Sequence, residues 1–280
     1  MFRTTIKNGL TLLGLGALLC ACTVTVGTNS KNKGWTNNSS ASSNDTRFKK
    51  PSTKERKAEA ASVKTQLAYE YIRARDYRAS VAAIEEAVRE NPQSVDAWLM
   101  RAQVYQFLKE YDKAEQSFRQ ALSLKPDSAE VNNNFGWYLC GVVNRPNEAI
   151  AHFDRALADP TYPTPEVGWM NKGICSAKMG QYNMADTYFT RALNMNPTYV
   201  FVHKEHARAK LTQGDAAEAD RYFRMYQAQI DMLNADDLLL GWKISKALKN
   251  SQAAYEYEAQ LRAHYPYSDE LQTITSGSAK

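Results

Sequence analysis

The chain has 280 residues, of which 23% are charged, and a formal net charge of +5. The charge is unevenly distributed. Arg3 and Lys7 stand near the start, and residues 22–58 hold eight basic and two acidic residues, so residues 59–280 carry a net charge of −3. Nucleic-acid binding would require a basic face on the folded part of the chain. This distribution therefore excludes nucleic acid as an expected partner.

Residues 1–21 have the features of a lipoprotein signal peptide. They begin with Arg3 and Lys7, continue as an apolar run too short to span a bilayer, and end in Leu-Cys-Ala directly before Cys22. This lipobox pattern predicts cleavage before Cys22 and attachment of acyl chains, palmitate among them, to that residue, with Cys20 removed. Several acyl chains on one residue form a stable anchor. An ordinary secretory signal with an incidental cysteine is the alternative.

Residues 22–51 are predicted to form a flexible basic tether. They are rich in Ser, Asn, Thr and Lys with few apolar side chains, so they cannot bury enough surface to fold. A flexible chain of this length has a mean reach of about 30 Å. The basic residues are expected either to contact anionic lipid or acidic wall polymer or simply to maintain solubility. Residue 23 is Thr rather than the Asp that often retains bacterial lipoproteins in the inner membrane, which favours the outer membrane.

A motif of Ala, Phe four residues later and Ala three residues after that recurs within residues 52–267. The clear copies begin at Ala114, Ala149 and Ala185, and the looser ones begin at Ser80, Ala219 and Ala253. Successive copies are 34 to 36 residues apart. This period is typical of the tetratricopeptide repeat (TPR), a helix A followed by a helix B. We therefore predict an all-α fold, a right-handed superhelical solenoid of six TPR helix-turn-helix repeats.

The repeated residues suit helix packing. In repeat 2, Trp98, Ala102 and Tyr105 lie on one stripe of helix A. Small residues such as Ala102 allow the two helices to cross closely, Phe118 fills the space beside them, and Pro126 ends the unit. We interpret most of these residues as core, since their spacing needs no cofactor to explain it.

Four local features carry further expectations. The first helix is predicted to begin at the capping-box pattern of Ser52 with Glu55. Repeat 3 has one extra residue, which we place in its A–B turn near Arg145. The proline-rich loop 158–168 is expected to project from one rim of the solenoid. Residues 268–280 are predicted to form a polar tail, of which residues 273–280 are small and polar and are expected to be frayed.

Cys140 and Cys175 are the cysteines that remain once the signal peptide and the acylated residue are set aside. An exported protein meets an oxidising compartment. The two cysteines lie on the A helices of consecutive repeats, which are neighbours in the stack, so they can approach within disulfide distance. We predict a bridge between them that closes a loop of about 35 residues.

No group of residues predicts catalysis. His203 and His206 are three residues apart on one helix and could chelate a metal weakly, but they lack the order His-Glu-x-x-His of zinc hydrolases and a third ligand. No phosphate-binding loop, nucleophile elbow or carboxylate pair is evident. We therefore expect a protein that is not an enzyme and that uses no cofactor, metal or small-molecule substrate.

The A helices of TPR arrays line the concave face at about every third or fourth position, and this register predicts a partner-binding groove. The predicted groove residues are Tyr69, Ile72, Leu99, Gln103, Gln106, Asn133, Trp137, Met170 and Ile174. Their mixture of apolar and amide side chains suits a peptide or an amphipathic helix. Thr65 and Tyr69 stand where chaperone-binding TPRs carry the Lys and Asn of a carboxylate clamp, so no such clamp is expected. Packing between helices is the alternative role, above all for Trp137.

The stretch from Asn132 to Cys140 reads Asn-Asn-Asn-Phe-Gly-Trp-Tyr-Leu-Cys. Together with the lipobox, the polar tether and the six repeats, it resembles the type IV pilus biogenesis/stability lipoproteins of the PilW/PilF family, and within that family the neisserial branch. The resemblance covers nearly the whole chain. It implies an outer-membrane lipoprotein that faces the periplasm. The family's pairing of cysteines in neighbouring repeats is matched by Cys140 and Cys175.

The resemblance also implies a function. Members of the family help the pilus secretin, a gated outer-membrane channel, to localise or multimerise, as a pilotin does, or help surface fibres to persist. The expected partners are therefore the secretin, and pilin or other pilus-assembly proteins. A second hypothesis stays open, that of a TPR lipoprotein adaptor for murein enzymes or for the outer-membrane protein insertion machinery. Co-purification of secretin or pilin, as opposed to wall hydrolases or insertion barrels, distinguishes the two.

Overall fold

The computed structural model describes residues 51–277, in which thirteen α-helices and one π-helical turn form the regular structure. The predicted signal peptide 1–21, the lipidation residue Cys22 and all but the last residue of the predicted tether 22–51 lie outside the described residues. The helices are α1 (Thr53–Arg73), α2 (Tyr77–Glu90), α3 (Val95–Phe107), α4 (Tyr111–Leu124), α5 (Ala129–Trp137, continued by the π-helical turn Tyr138–Val142), α6 (Pro146–Ala158), α7 (Pro165–Lys178), α8 (Tyr182–Met195), α9 (Phe201–Gln213), α10 (Ala216–Gln227), α11 (Ala235–Ala247), α12 (Ser251–His264) and α13 (Asp269–Thr275).

The first twelve helices pack in consecutive pairs, from α1 with α2 to α11 with α12, and each pair is one hairpin of helix A and helix B. Helix A of every later hairpin also contacts helix B of the hairpin before it. Contacts between neighbouring hairpins are what define a solenoid of repeats. The prediction of an all-α stack of six TPR hairpins is therefore confirmed.

The first helix begins where its capping box predicts. The backbone N–H of Ser52 donates to Glu55 Oε2 at 2.6 Å, and the backbone N–H of Glu55 donates to Ser52 Oγ at 3.2 Å. The same reciprocal arrangement of Asn234 and Asp237 starts α11, with both bonds at 2.9 Å. Each box satisfies two backbone donors that would otherwise lack partners at a helix N-terminus.

The phenylalanine of the motif fills the centre of each hairpin against a small residue on helix A. Phe153 and Phe189 are fully buried. A Cβ atom built on Gly136 would lie 2.8 Å from Cε1 of Phe153, and one built on Gly173 would lie 2.7 Å from Cε1 of Phe189. Because no side chain fits at these distances, repeats 3 and 4 have glycine where repeat 2 has Ala102.

Polar bridges between neighbouring hairpins join the stack outside the apolar centre. Arg101 of α3 donates through Nε to Glu85 of α2 at 2.9 Å, and its guanidinium lies 4.8 Å from the ring centroid of Tyr105. Lys172 of α7 takes the same place two repeats later and pairs with Asp154 of α6. Both basic side chains are largely buried, so these pairs help to fix how one hairpin packs on the next.

The extra residue of repeat 3 lies inside helix A, so its predicted place in the A–B turn near Arg145 is wrong. The turn that follows has three residues, as in repeat 2, and Asn144 occupies the same left-handed conformation (φ 56°) as Lys109 (φ 61°). The insertion is absorbed by the π-helical turn, where the N–H of Val143 donates to the carbonyl of Tyr138, five residues back, at 3.1 Å. Widening the helix by one residue keeps Tyr138 buried.

The loop 158–168 does not simply project from the rim as expected. Tyr162 is 8% exposed and packs with Ala129 and Ala156. Its ring also lies against Gly168, where an added Cβ would be 3.3 Å from Cε1. The loop is therefore anchored by one buried aromatic side chain.

The predicted polar tail 268–280 contains a helix, α13, so the expectation that residues 273–280 fray is wrong for residues 273–275. Ser268 caps α13 by accepting a hydrogen bond from the backbone N–H of Leu271 at 3.2 Å. Leu271 is 8% exposed and belongs to a cluster with Leu238 and Leu261. The helix packs on α11 and α12 and covers apolar surface that a seventh repeat would otherwise bury.

Candidate protein-binding face

Each A helix buries one stripe against its own hairpin and leaves another side open to solvent. We define the inner row as two positions of each A helix on this open side. They are the position equivalent to Trp137 and the position four residues later. The inner row consists of Tyr69 and Arg73 in α1, Gln103 and Phe107 in α3, Trp137 and Gly141 in α5 and its π-helical turn, Ile174 and Lys178 in α7, Arg208 and Thr212 in α9, and Trp242 and Lys246 in α11. All twelve residues are at least partly exposed, so this row can be reached by a partner.

The nine predicted groove residues divide by exposure. Tyr69, Gln103, Trp137 and Ile174 belong to the inner row, Ile72, Gln106 and Met170 are half-buried on the same helices, and Leu99 and Asn133 are buried. Leu99 is 5% exposed and shares a hydrophobic cluster with Val131 and Phe135 of the next A helix. We therefore reassign Leu99 from groove to core, because the following hairpin covers it.

Asn133 is also buried, where it links two A helices. Its side-chain oxygen accepts a hydrogen bond from Nδ2 of Asn171 at 3.1 Å, and both residues are 7% exposed. Buried amides are costly unless paired, so this bond fixes α7 against α5. Asn133 therefore acts through the packing of the two helices and is not an open groove residue.

Trp137 is the most exposed apolar member of the inner row, with 37% of its surface accessible. Its indole lies over Gly141, where an added Cβ would be 2.8 Å from Cε2 of the ring. The absence of a side chain at Gly141 lets the indole pack against the helix backbone. A large aromatic ring that is exposed and supported by the backbone is a typical anchor for a bound polypeptide.

The predicted pair of cysteines is bonded in the structure, directly beside this ring. Cys140 and Cys175 form a disulfide with a Cα–Cα distance of 5.9 Å, joining the π-helical turn to α7. One turn after Cys175, the ammonium of Lys178 donates to the carbonyl oxygen of Cys140 at 3.0 Å. That carbonyl is one peptide bond from Gly141, the residue against which the indole of Trp137 packs.

The sequence analysis missed six aromatic and cationic members of the row: Arg73, Phe107, Lys178, Arg208, Trp242 and Lys246. Lys246 lies 5.8 Å from the ring centroid of Trp242, and Arg208 of α9 pairs with Asp236 of α11. The predicted groove ended at repeat 4, although the register continues unchanged to repeat 6. Extending it would have found Arg208, Trp242 and Lys246.

The first asparagines of the segment 132–140 have structural roles. Asn132 donates through Nδ2 to the carbonyl of Pro126 at 2.8 Å, and its Oδ1 lies 3.0 Å from Nδ1 of His152. These contacts join the turn before α5 to helix α6. The segment thus combines hairpin packing through Asn132 with an exposed anchor at Trp137.

His203 and His206 do not converge on a metal site. His206 Nε2 lies 2.8 Å from Asp186 Oδ1, and its ring stacks on Tyr222 with 3.7 Å between centroids. His203 also faces Tyr222, at 6.4 Å. Within residues 51–277 no group of three or more His, Cys, Asp or Glu side chains is arranged to hold a metal ion.

The stability of the stack is expected to fall as the pH drops below about 6.5, which is the ordinary pKa of histidine. Burial lowers the pKa of His206, although Asp186 acts in the opposite direction. Burial likewise lowers the pKa of His203 and of His152. A histidine whose pKa is depressed on folding favours the neutral form, so its contribution is present above the unfolded pKa and is lost as the pH falls towards the folded one.

Thermal unfolding at pH 7.5 and pH 5.5 checks this prediction. Although burial alone would raise the pKa of Asp186, hydrogen bonds from Lys210 and His206 lower it below its ordinary value, so this carboxylate stays ionised over that range. His206→Gln should therefore reduce the difference in Tm between the two conditions, whereas His264→Gln, at an exposed position, should leave it unchanged. An equal difference in wild type and His206→Gln would contradict the assignment.

None of the helices within residues 51–277 is long and apolar enough to cross a membrane. The open side of the stack is instead a mixed aromatic, amide and cationic surface built on rigid helices. Such a surface suits the recognition of a polypeptide.

Comparisons with known proteins agree with this fold. Family models described as tetratricopeptide repeats match residues 65–129 and 168–199. The crystal structure of PilW, described as a widely conserved type IV pilus biogenesis factor, is 59% identical, covers 77% of this chain and 98% of its own, and superposes with a TM-score of 0.69. The structure of PilF from Pseudomonas aeruginosa is 28% identical, with 79% and 99% covered and a TM-score of 0.61.

A curated relative gives the same result. The type IV pilus assembly protein PilF of Pseudomonas aeruginosa is 29% identical over 214 residues, which are 76% of this chain and 84% of the relative. Fold and open face together define a TPR protein, a class of scaffolds that bind other proteins. The similarity to PilW extends over nearly all of that structure. The chain belongs to the PilW/PilF family of type IV pilus biogenesis TPR proteins.

Proposed function

We propose that this protein is an outer-membrane lipoprotein, anchored through acylated Cys22 and facing the periplasm. There it assists assembly or localisation of the pilus secretin and the stability of pilus fibres. The signal-peptide pattern supports the anchor, and the similarity to PilW and PilF supports the role in pilus biogenesis. The basic segment 22–51 connects the anchor to the stack of hairpins and lets the stack reach partners near the membrane.

The observation that carries the scaffold role is the exposed indole of Trp137, packed against Gly141 on the open side of the stack. A fixed aromatic ring loses little conformational entropy when a partner packs on it, so it can contribute a large share of the binding energy. The disulfide and the contact of Lys178 with Cys140 hold the surrounding surface in one shape. The proposed partners are the secretin, and pilin or other pilus-assembly proteins.

The proposal is tested in a deletion strain complemented with wild type, Trp137→Asp, Cys22→Ala or Tyr255→Asp. We expect deletion and Trp137→Asp to reduce surface fibres and secretin multimers severalfold, because a carboxylate cannot replace the indole as an anchor. Cys22→Ala should release the protein from the membrane fraction. Tyr255 is 68% exposed on α12 and outside the inner row, so its variant serves as the matched control.

Fibres are counted by electron microscopy and secretin multimers by electrophoresis without full denaturation. Circular dichroism of each purified variant establishes that it remains folded. Normal fibres together with normal multimers in the deletion strain would overturn the proposed function. Crosslinked recovery of wall hydrolases or insertion barrels, without secretin or pilin, would favour the adaptor hypothesis instead.

A further inference from the structure

The inner row differs in charge from the rest of the folded chain. It contains four basic residues, Arg73, Lys178, Arg208 and Lys246, and no Asp or Glu. By contrast, residues 59–280 as a whole carry a net charge of −3. A basic row on an otherwise acidic protein would be complemented by acidic residues of a partner.

One member of this set is already neutralised within the protein. Arg208 pairs with Asp236, which also lies 2.8 Å from the ammonium of Lys204. Arg73 approaches Glu70 at 3.3 Å, but both side chains are more than 60% exposed, so this pair contributes little and can be exchanged. The cations left for a partner are therefore Arg73, Lys178 and Lys246.

Two of these three cations lie beside a partly exposed aromatic ring. Arg73 is 5.8 Å from the ring centroid of Tyr69, and Lys246 is 5.8 Å from that of Trp242. In the middle of the stack, Lys178 binds the carbonyl of Cys140, which precedes the Gly141 that contacts the indole of Trp137. The pairing of ring and cation thus occurs in the first and in the last hairpin.

A ring with an adjacent ammonium or guanidinium recognises two groups at once. The ring packs on an aromatic or aliphatic side chain, and the cation donates charge-assisted hydrogen bonds to a carboxylate. Lys178 uses one of its three donors on Cys140, which leaves two for a ligand. Consequently, a partner segment that carries both carboxylates and aromatic or aliphatic side chains gains binding energy from both contacts.

Two of the A helices carry acidic residues near their N-terminal ends. Asp96 and Glu130 stand in the first turns of α3 and α5. Glu130 is seven residues before Trp137, or about 10 Å along the helix axis. Carboxylates of a partner are therefore repelled from the N-terminal ends of these two helices.

We infer that the inner row binds an acidic segment of a partner polypeptide in which Asp or Glu alternate with aromatic or aliphatic residues. This inference rests on the proposed scaffold function and names the chemistry of its partner.

The test uses the full chain in mild detergent and a displayed library of random 16-residue peptides. The peptides expected to be selected contain Asp or Glu next to Phe, Trp, Tyr or Leu. Each selected peptide is then synthesised in two forms, one as selected and one with every Asp and Glu replaced by Lys. Fluorescence anisotropy gives the Kd of both at low and at raised salt, because an electrostatic contribution weakens with salt.

Variants of the row separate its contribution from that of the rest of the surface. We expect Lys178→Glu and Trp137→Ala each to raise the Kd of acidic peptides about tenfold. Lys178→Arg should retain most of the affinity, because it keeps the charge. Lys57→Glu makes the same charge change at an exposed position of α1 away from the row, and it should leave the Kd unchanged.

Several results would overturn the inference. These are selection of basic peptides, equal binding of the Lys-substituted forms, or affinities that Lys178→Glu does not alter. Binding of anionic phospholipid vesicles that competes with the peptides and is lost in the same variants would assign the row to a membrane surface instead. If the deletion strain loses its fibres while the row prefers basic peptides, the inferred acidic partner is rejected and the proposed role in pilus biogenesis is retained. Normal fibres in the deletion strain would reject the function itself.

Discussion

Replacing Phe153 by alanine is expected to lower the free energy of unfolding by about 3–5 kcal/mol. The ring is fully buried in the third hairpin, and an added Cβ on Gly136 would lie only 2.8 Å from it. Removing the ring leaves a cavity that the two helices cannot close, because Gly136 has no side chain to enter it. Chemical denaturation monitored by circular dichroism measures the loss.

Two further variants make the prediction specific. Phe153→Leu should cost less than Phe153→Ala, because it refills part of the cavity. Tyr255→Ala removes a ring of similar size at a site that is 68% exposed, and it should change the unfolding free energy by no more than about 0.5 kcal/mol. Equal losses for Phe153→Ala and Tyr255→Ala would contradict the assignment of Phe153 to the core.

Loss of the bridge between Cys140 and Cys175 is expected to destabilise the stack by about 3–4 kcal/mol. The bond joins residues 35 apart in sequence and ties the π-helical turn of repeat 3 to helix α7 of repeat 4. Without it, the unfolded chain gains conformational freedom, and two hairpins lose their only covalent link besides the chain itself. Because repeats unfold partly independently, hydrogen exchange should rise most in α5 to α7.

The measurement compares denaturation of the oxidised protein with that of the protein in reductant and of the double variant Cys140→Ser, Cys175→Ser. The reduced wild type and the double variant should unfold at similar, lower denaturant concentrations. Reductant should have no effect on the double variant, which serves as the control. Coincident unfolding curves for oxidised and reduced wild type would refute the predicted stabilisation.

The repeat register was predictable because it depends on local rules. Phe118 and Phe153 recur with a period of about 34–36 residues, and a helix positions residues at fixed angles, so the sequence predicts which side chains meet inside one hairpin. The capping box of Ser52 with Glu55 is equally local and was predicted correctly. Similarly, the neighbouring A helices brought Cys140 and Cys175 within reach of each other.

The binding face could be predicted only in part, because it depends on contacts between hairpins. The register placed Trp137 on the open side, but it could not show that Leu99 is covered by the next hairpin. Nor could it show that Lys178 reaches the carbonyl of Cys140 from a different helix. Residues that share a surface across repeats are 30 or more positions apart, and their meeting depends on how each hairpin sits on its neighbour.

The sequence by itself determined the six helical hairpins and the helices on which the cysteines and Trp137 lie, because period and side-chain size act within a turn or two of helix. Only the tertiary structure decided that the extra residue of repeat 3 widens the helix at Tyr138–Val142. It likewise decided that residues 269–275 cover the end of the stack. Both outcomes depend on keeping apolar side chains such as Tyr138 and Leu271 out of water, a gain that exists once neighbouring hairpins are packed.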